Sequence, residues 1–217
     1  MSFFKDKKLS CGLALLVLFL SAHIAHAEDF LGVTIAPESN SESYKRSLYR
    51  HWIDEDGDKL DTRQQVLEIE SLIDVNIITK TNGRRAVTDG LWVGPYAGFV
   101  TTIPGDLDVD HMVPLKEAHE SGAWAWDNDK RRRYANDLSN PVHLIAVKAG
   151  ANRSKGFKDP AEWMPPNRTY WCQYLLNWVD IKRRWALTMD QLEADAVKQG
   201  FRVCEKYVSG DHLQGRH

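Results

Sequence analysis

The sequence predicts an α+β fold, and three observations lead to that class. Between residues 84 and 147, short apolar segments with strand spacing alternate with turn residues. On both sides of this stretch, apolar residues recur at helical spacing. No linker in the 217-residue chain is long enough to divide it, so one domain with a single main core is expected.

The first 27 residues have the three-part pattern of a secretory signal peptide. Lys5, Lys7 and Lys8 form a basic start, residues 9–20 are mostly apolar, and residues 25–27 form an A-x-A cleavage site. The apolar run is short for a membrane span, although a retained anchor is the alternative. We therefore expect export to the periplasm or the medium, a flexible lead over residues 28–41, and one domain over residues 42–217.

The net charge of the mature chain and its two cysteines give two further expectations, one about substrate contacts and one about a disulfide. Removing residues 1–27 takes away three lysines and Asp6, so the formal charge falls from −2 to −4. Any contact with nucleic acid must then use a local basic patch. The two remaining cysteines, Cys172 and Cys204, lie at similar distances from a break near Leu187 between two helix-like segments, 168–186 and 189–207. A C-terminal helical hairpin with one disulfide is predicted, and two free buried thiols are the alternative.

The first half of the domain contains recognisable helix and hairpin signals. Helical spacing predicts a helix over residues 41–52, followed by an acidic turn at residues 54–58. Asp61 is the predicted N-cap of a second helix, and Gln64 would complete a capping box. Residues 86–93 and 99–103 are the predicted arms of a hairpin.

The second half alternates short strands and helices. Apolar and acidic residues alternate from Leu107 to His111, which predicts a strand, and Pro114 suits the first turn of a helix over residues 115–121. A second helix is predicted over residues 127–136 and a strand over residues 142–147. Residues 150–155 are expected to form a turn, and a short helix is expected to begin at Asp159.

One dense group of polar residues could carry chemistry. It comprises Asp108, Asp110, His111, Asn140, Asn152 and Lys155. Phosphodiester hydrolysis needs a base to activate water and a cation to neutralise charge on the phosphate. Histidine suits the base because its pKa lies near neutrality, and Mg²⁺ suits oxygen ligands such as a carboxylate and a carboxamide.

These residues carry a family resemblance. The segment DVDHMVP at residues 108–114, followed by Asn140 and then by NRSKG at residues 152–156 and PAEWMPP at residues 160–166, resembles the HNH nuclease superfamily. It is similar to the HNH domain of RNA-guided effector nucleases, and more closely to secreted HNH proteins related to the C-terminal domain of the GmrSD restriction enzymes. The resemblance implies a ββα-metal core over about residues 98–166, with a small antiparallel sheet and surrounding helices.

The resemblance also implies residue roles. It assigns catalytic roles to His111, as the general base, and to Asn140, which would brace the loop that holds His111. It further implies one divalent cation, most simply Mg²⁺, with Asp110 and Asn152 as ligands, Asp108 orienting the site, and Lys155 as a substrate contact. Arg153 is a second expected substrate contact, because it lies beside the predicted ligand Asn152. From the residues alone, Asn140 is equally a turn cap before Pro141, and Lys155 equally a solvated surface lysine.

The implied activity is exported, metal-dependent endonucleolytic hydrolysis of DNA, with RNA also open and with little sequence specificity. We expect a monomer with no membrane attachment after signal cleavage. Neighbours in a regular strand point to opposite faces, so we expect the pleat to break where Asp110 and His111 converge. The alternatives are a non-catalytic exported nucleic-acid-binding protein and a calcium-stabilised structural protein on an HNH scaffold, the latter using the acidic turn at residues 54–58.

Overall fold

The computed structural model describes residues 28–209, so the segment 1–27, interpreted above as a signal peptide, lies outside the described residues. The fold is α+β, as predicted, with helices and small antiparallel sheets of two strands each. The strands are β1 (Asp29–Phe30), β2 (Val33–Thr34), β3 (Asn76–Thr79), β4 (Arg85–Asp89), β5 (Trp92–Gly94), β6 (Phe99–Thr101), β7 (Leu107–His111) and β8 (Leu144–Lys148). The α-helices are α1 (Thr62–Glu70), α2 (Leu115–Glu120), α3 (Asn128–Ala135), α4 (Ala149–Lys155), α5 (Trp171–Trp185) and α6 (Gln191–Ser209).

Two apolar clusters hold these elements together. The larger one joins α2, α3, α5 and α6, and its biggest fully buried side chains are aromatic, among them Tyr134, Tyr174 and Trp178. The smaller one lies between α1 and strands β4, β5, β7 and β8, where Trp92 donates a hydrogen bond of 2.8 Å to the carbonyl of Leu67. The pair β7–β8 contributes residues to both clusters.

The feature that positions the site is a strand–strand–helix unit. Strand β7 pairs antiparallel with β8, with Asp110 opposite Ile145 and His111 opposite Leu144. Helix α4 follows β8 without a loop and packs on both strands. The helix was not expected, because residues 150–155 were interpreted as a turn. Since β7 pairs only with β8 among the described strands, its other edge is left open.

Several predicted elements agree with the structure. Asp61 caps α1, with its side chain accepting a hydrogen bond from the amide of Gln64. The capping box itself is not completed, because the Gln64 side chain accepts a hydrogen bond from Val87 instead. Strands β7 and β8 and helices α2 and α3 form within two residues of their predicted bounds. The C-terminal helical hairpin is present, and the Cys172–Cys204 disulfide joins α5 to α6.

Other predictions were wrong. Residues 41–52 form two 3₁₀ turns, Ser41–Ser43 and Arg46–Leu48, rather than an α-helix. The positive φ of Trp52 (57°) shows that this segment ends in backbone that no right-handed helix adopts. The expected hairpin forms only in part: β5 and β6 pair around the predicted turn, but residues 86–89 of the first arm pair with β3 in another sheet. A turn replaces the expected helix at Asp159.

The expected flexible lead is also wrong for most of its length. The side chain of Val33 is buried, and Ile35 forms a parallel bridge with Met189 at the junction of α5 and α6. Backbone hydrogen bonds to Met189 fix both sides of this bridge. The segment is therefore packed on the domain. Among the described residues, no helix is both long and apolar enough to cross a membrane.

Candidate active site

The candidate site is a cavity of about 330 Å³ beside β7. Three consecutive residues of β7, Val109, Asp110 and His111, line it together with Asn152 and Arg153 of α4. The strand remains regular through His111, so the expected break in the pleat does not occur. Val109, Asp110 and His111 all line the cavity, although neighbouring side chains of a regular strand point to opposite faces.

Asp110 is held by one of its two carboxylate oxygens. Its side chain is only 8% exposed, and its Oδ2 accepts a hydrogen bond of 2.8 Å from the hydroxyl of Tyr96. The ammonium group of Lys155 forms an ion pair with the same oxygen. Burial raises the pKa of the Asp110 carboxyl, and the Lys155 charge opposes this shift. Within residues 28–209, Oδ1 has no hydrogen-bond partner and is not sealed from solvent.

The expectation that Lys155 contacts substrate is wrong. Its side chain is fully buried, and its ammonium group donates to the carbonyls of His111 (2.8 Å) and Met112 (3.0 Å) as well as to Asp110. All three hydrogen atoms of the ammonium group are thereby used. Lys155 therefore supports the end of β7 from inside the protein.

His111 has the protonation state that a general base requires. Its Nε2 lies 3.0 Å from the carbonyl oxygen of Ala135, which can only accept, so Nε2 carries the proton and Nδ1 is the basic nitrogen. Burial, with a smaller contribution from His143, holds the pKa of His111 well below its ordinary value, so the ring is neutral. Among the described residues Nδ1 has no hydrogen-bond partner, and it is not enclosed.

Two aromatic rings fix the plane of the His111 ring. Trp52 stacks on it with a centroid distance of 5.5 Å and an interplanar angle of 27°. Tyr134 stacks with a centroid distance of 6.3 Å and an angle of 12°. Together with the hydrogen bond to Ala135, these contacts leave the imidazole little freedom to turn.

Asn152 is oriented by Asp108. The Nδ2 group of Asn152 donates a hydrogen bond of 3.2 Å to Oδ2 of Asp108, which leaves the carboxamide oxygen free. Arg153 follows on α4, its side chain is 76% exposed, and its Nε lies 3.9 Å from the same Asp108 oxygen. Asp108 thus contacts both residues of α4 that line the cavity.

Asn140 does not line the cavity. Its side chain donates to Oδ2 of Asp180 on α5 (3.0 Å) and accepts from the amide of Val142 (3.2 Å), as in an Asx turn. Its carbonyl accepts from the amide of His143, whose own carbonyl accepts from Met112 just after His111. Asn140 therefore braces the entry to β8, and its connection to His111 runs through the backbone.

Sequence reasoning missed several residues at the site. Arg46 lines the cavity, is exposed, and forms no ion pair with a described carboxylate. Trp52 and Tyr96 hold His111 and Asp110, as described above. Phe157, which is 55% exposed, lies at the rim after the end of α4. No short motif marks these positions, because their roles depend on how distant segments pack around β7.

Two further groups of carboxylates could hold a cation by proximity alone. They are Asp54, Asp56 and Asp58 in the acidic turn, and Glu38, Glu117 and Asp159 beside α2. In the acidic turn the carboxylates already accept hydrogen bonds from amides of the same turn. In the second group, Glu117 forms an ion pair with the buried Lys182.

The cavity offers a fitting donor set for a hard divalent cation. Asp110 Oδ1 and Asn152 Oδ1 are both free, both are oxygen atoms, and both residues face the same cavity. One carboxylate with one carboxamide suits a cation such as Mg²⁺ that keeps several of its waters. His111, whose Nδ1 has no hydrogen-bond partner among the described residues, lines the same cavity.

An α+β protein with this site falls in a known family. Residues 28–197 match the family of the C-terminal domain of GmrSD restriction endonucleases, and the chain belongs to that family. Family membership indicates a nuclease-like function with a nucleic acid substrate. The chain is similar to an uncharacterized secreted protein of Arthroderma benhamiae, with 37% identity over 173 residues that cover 80% of this chain and 81% of the relative. No solved structure shows a significant match.

Proposed function

We propose that this protein is an exported endonuclease of the HNH type, which hydrolyses phosphodiester bonds of DNA, with RNA as the alternative substrate, and with little sequence specificity. The observation that carries the proposal is the meeting of Asp110, His111 and Asn152 at one cavity, with a free oxygen or nitrogen on each. In this proposal β7, β8 and α4 are the ββα-metal core.

His111 acts as the general base in this scheme. Nδ1 accepts the proton of the attacking water, while the carbonyl of Ala135 keeps the other proton on Nε2 and stabilises the imidazolium that forms. The low pKa of His111 keeps the ring unprotonated before reaction at neutral pH.

Asp110 Oδ1 and Asn152 Oδ1 would hold one divalent cation, with Mg²⁺ the first candidate. When bound, such a cation neutralises charge that develops on the phosphate and on the leaving oxygen. Asp108 keeps the Asn152 oxygen directed away from itself by accepting its amide hydrogen.

Arg46 and Arg153 are the proposed phosphate contacts. Both are exposed cations at the cavity. Arg46 forms no ion pair with a described carboxylate, and Arg153 forms only one long pair of 3.9 Å with Asp108. Two exposed cations beside the site fit binding through the backbone of the nucleic acid, which carries little sequence information. A local basic patch formed by Arg46 and Arg153 allows an anionic substrate to bind although the net charge of the protein is negative.

The proposal includes export, and a monomeric enzyme in the periplasm or the medium. The signal-like segment at residues 1–27 and the disulfide between Cys172 and Cys204 both support an oxidising compartment. The description of the fungal relative as secreted supports the same location.

The test is nicking of supercoiled plasmid with Mg²⁺ and with chelator. The wild type should nick only with the cation, and His111→Ala should lower the rate by about 10²- to 10⁴-fold. Arg84→Gln, which alters an exposed residue outside the cavity lining, is the control. Nicking that survives His111→Ala would remove the base from the scheme. Absence of nicking of DNA or RNA with every divalent cation would leave a binding protein.

The phosphate contacts have a separate test. Arg153→Gln should weaken binding of random DNA and reduce the slope of log Kd against log salt by about 1. Arg84→Gln, at an exposed hairpin remote from the cavity, is the matched control and should leave the slope unchanged. Equal slopes in all three proteins would exclude Arg153 from the interface.

A further inference from the structure

We propose that Lys155 and Tyr96 restrict Asp110 to coordination through one oxygen, so that the site selects a small octahedral cation such as Mg²⁺ or Mn²⁺ over Ca²⁺. The inference rests on the proposed function, because the cation is the cofactor of that function. It concerns how neighbouring side chains limit the coordination geometry of Asp110.

Two contacts occupy Oδ2 of Asp110 and thereby restrict how the carboxylate can bind a cation. The Tyr96 hydroxyl donates to this oxygen at 2.8 Å, and the Lys155 ammonium forms an ion pair with it. A cation that approached Oδ2 would have to displace a hydroxyl proton and a positive charge. Oδ1, which has no partner among the described residues, is the oxygen that a cation can reach.

Neither contact can move away without opening the interior. Lys155 is fully buried and is also tied to two backbone carbonyls, those of His111 and Met112, at the end of the same strand. Tyr96 is fully buried as well, and its ring packs against Trp163 and Tyr174 at centroid distances of 5.2 and 5.7 Å. The arrangement is therefore a fixed part of the core, and the carboxylate cannot rotate to present both oxygens.

Single-oxygen coordination separates the two classes of cation. Ca²⁺ takes six to eight oxygen ligands and often uses both oxygens of a carboxylate, whereas Mg²⁺ takes six and keeps several waters. Here the protein offers one oxygen from Asp110 and one from Asn152, since the second Asn152 group is engaged by Asp108. Water must complete the shell, which favours the smaller octahedral ion.

The first arm of the test measures cation binding directly, without the reaction. Mn²⁺ bound to the purified protein is followed by electron paramagnetic resonance and displaced with Mg²⁺ or Ca²⁺. The Asn152→Ala variant is titrated in parallel, because the carboxylate groups at Asp54–Asp58 and around Glu117 can also attract Mn²⁺. In the wild type, the Asn152-dependent signal should need about tenfold more Ca²⁺ than Mg²⁺ for displacement.

The second arm removes the restriction. Lys155→Met frees Oδ2 and should reduce the preference for Mg²⁺ over Ca²⁺ by about tenfold, while Tyr96→Phe should reduce it less because Lys155 remains. Lys155→Met leaves a buried carboxylate without its cation and can prevent folding. Tyr96→Phe, which keeps the ring, and a crystal structure of the wild type with Mn²⁺ are therefore included.

The crystal structure decides the geometry. Mn²⁺ at about 2.1 Å from Oδ1 and more than about 3 Å from Oδ2 is the expected result. Coordination by both oxygens, or a wild type that prefers Ca²⁺, overturns the inference, and metal-dependent plasmid nicking would then still support the nuclease. No cation at Asp110 overturns the inference and the ligand assignment together. Loss of nicking with single-oxygen Mn²⁺ in place would count against the nuclease alone.

Discussion

Replacing Asp108 with alanine should weaken cation binding at Asn152 about tenfold while the protein stays folded. The hydrogen bond from Asn152 Nδ2 to Asp108 is the contact that distinguishes the two ends of the carboxamide. Without this hydrogen bond, the carboxamide of Asn152 can rotate so that its NH₂ group faces the cation. The partial positive charge of the NH₂ group then repels the cation. Losing a residue that orients a ligand typically costs 10- to 100-fold in metal affinity. A bond of 3.2 Å to a side chain that is 35% exposed places the effect near the lower value.

The assay is the Mg²⁺ concentration that gives half-maximal plasmid nicking, together with Mn²⁺ binding. Asp108→Asn keeps one acceptor oxygen and should lie between the wild type and Asp108→Ala. The matched control is Asp89→Ala, because Asp89 also accepts a hydrogen bond from an asparagine, Asn76, at 2.7 Å, but on the β3–β4 hairpin. An unchanged half-saturating concentration in Asp108→Ala, or an equal shift in the control, would refute the reasoning.

Three further outcomes are expected. Trp52→Ala should lower kcat about tenfold at unchanged KM, with rescue by Trp52→Phe, because the stacked ring holds His111; a change in KM alone would contradict this. Replacing both Cys172 and Cys204 with serine should lower the unfolding free energy by about 3–4 kcal/mol for a 32-residue loop, measured in guanidinium, and a loss below about 1 kcal/mol would be inconsistent. Burial raises the pKa of Glu70 from 4.5 to about 7, so the contribution of this carboxyl to stability is fully present below pH 4.5 and is lost as the pH rises through 7. Glu70→Gln should therefore exceed the wild type in stability at pH 8 by about 3 kcal/mol, with no difference near pH 4, and parallel urea curves at both pH values would contradict the assignment.

Elements with strong local signals were predictable from the sequence. The alternation from Leu107 to His111 and the cap at Asp61 are local patterns, and the structure has both. The disulfide followed from the symmetry of Cys172 and Cys204 about a helix break. In each case the determining residues lie within one element or one hairpin.

The segment before α1 was mispredicted because its apolar spacing has another cause. Tyr44, Leu48 and Trp52 recur every four residues, as on a helix face. In the structure they lie along an irregular segment that crosses the core, with Tyr44 and Leu48 against the larger cluster and Trp52 against the smaller one. Periodicity reports which side chains are buried, and burial by two separate clusters can produce the same spacing as one helix face.

Lys155 was wrongly predicted to contact substrate because residues 150–155 form part of a helix and not a turn. Residues three apart on a helix lie on one face, and a residue one position on is rotated by about 100°. Once α4 is known to be helical, Asn152 facing β7 requires Lys155 to face β7 too, whereas Arg153 must turn outward. The structure has this arrangement, with Lys155 buried against Asp110 and Arg153 exposed. A turn over residues 150–155 does not predict which residues share a face. Only the helix shows that Lys155 points toward Asp110, where it positions a ligand, and that Arg153 points outward, where it can reach a phosphate.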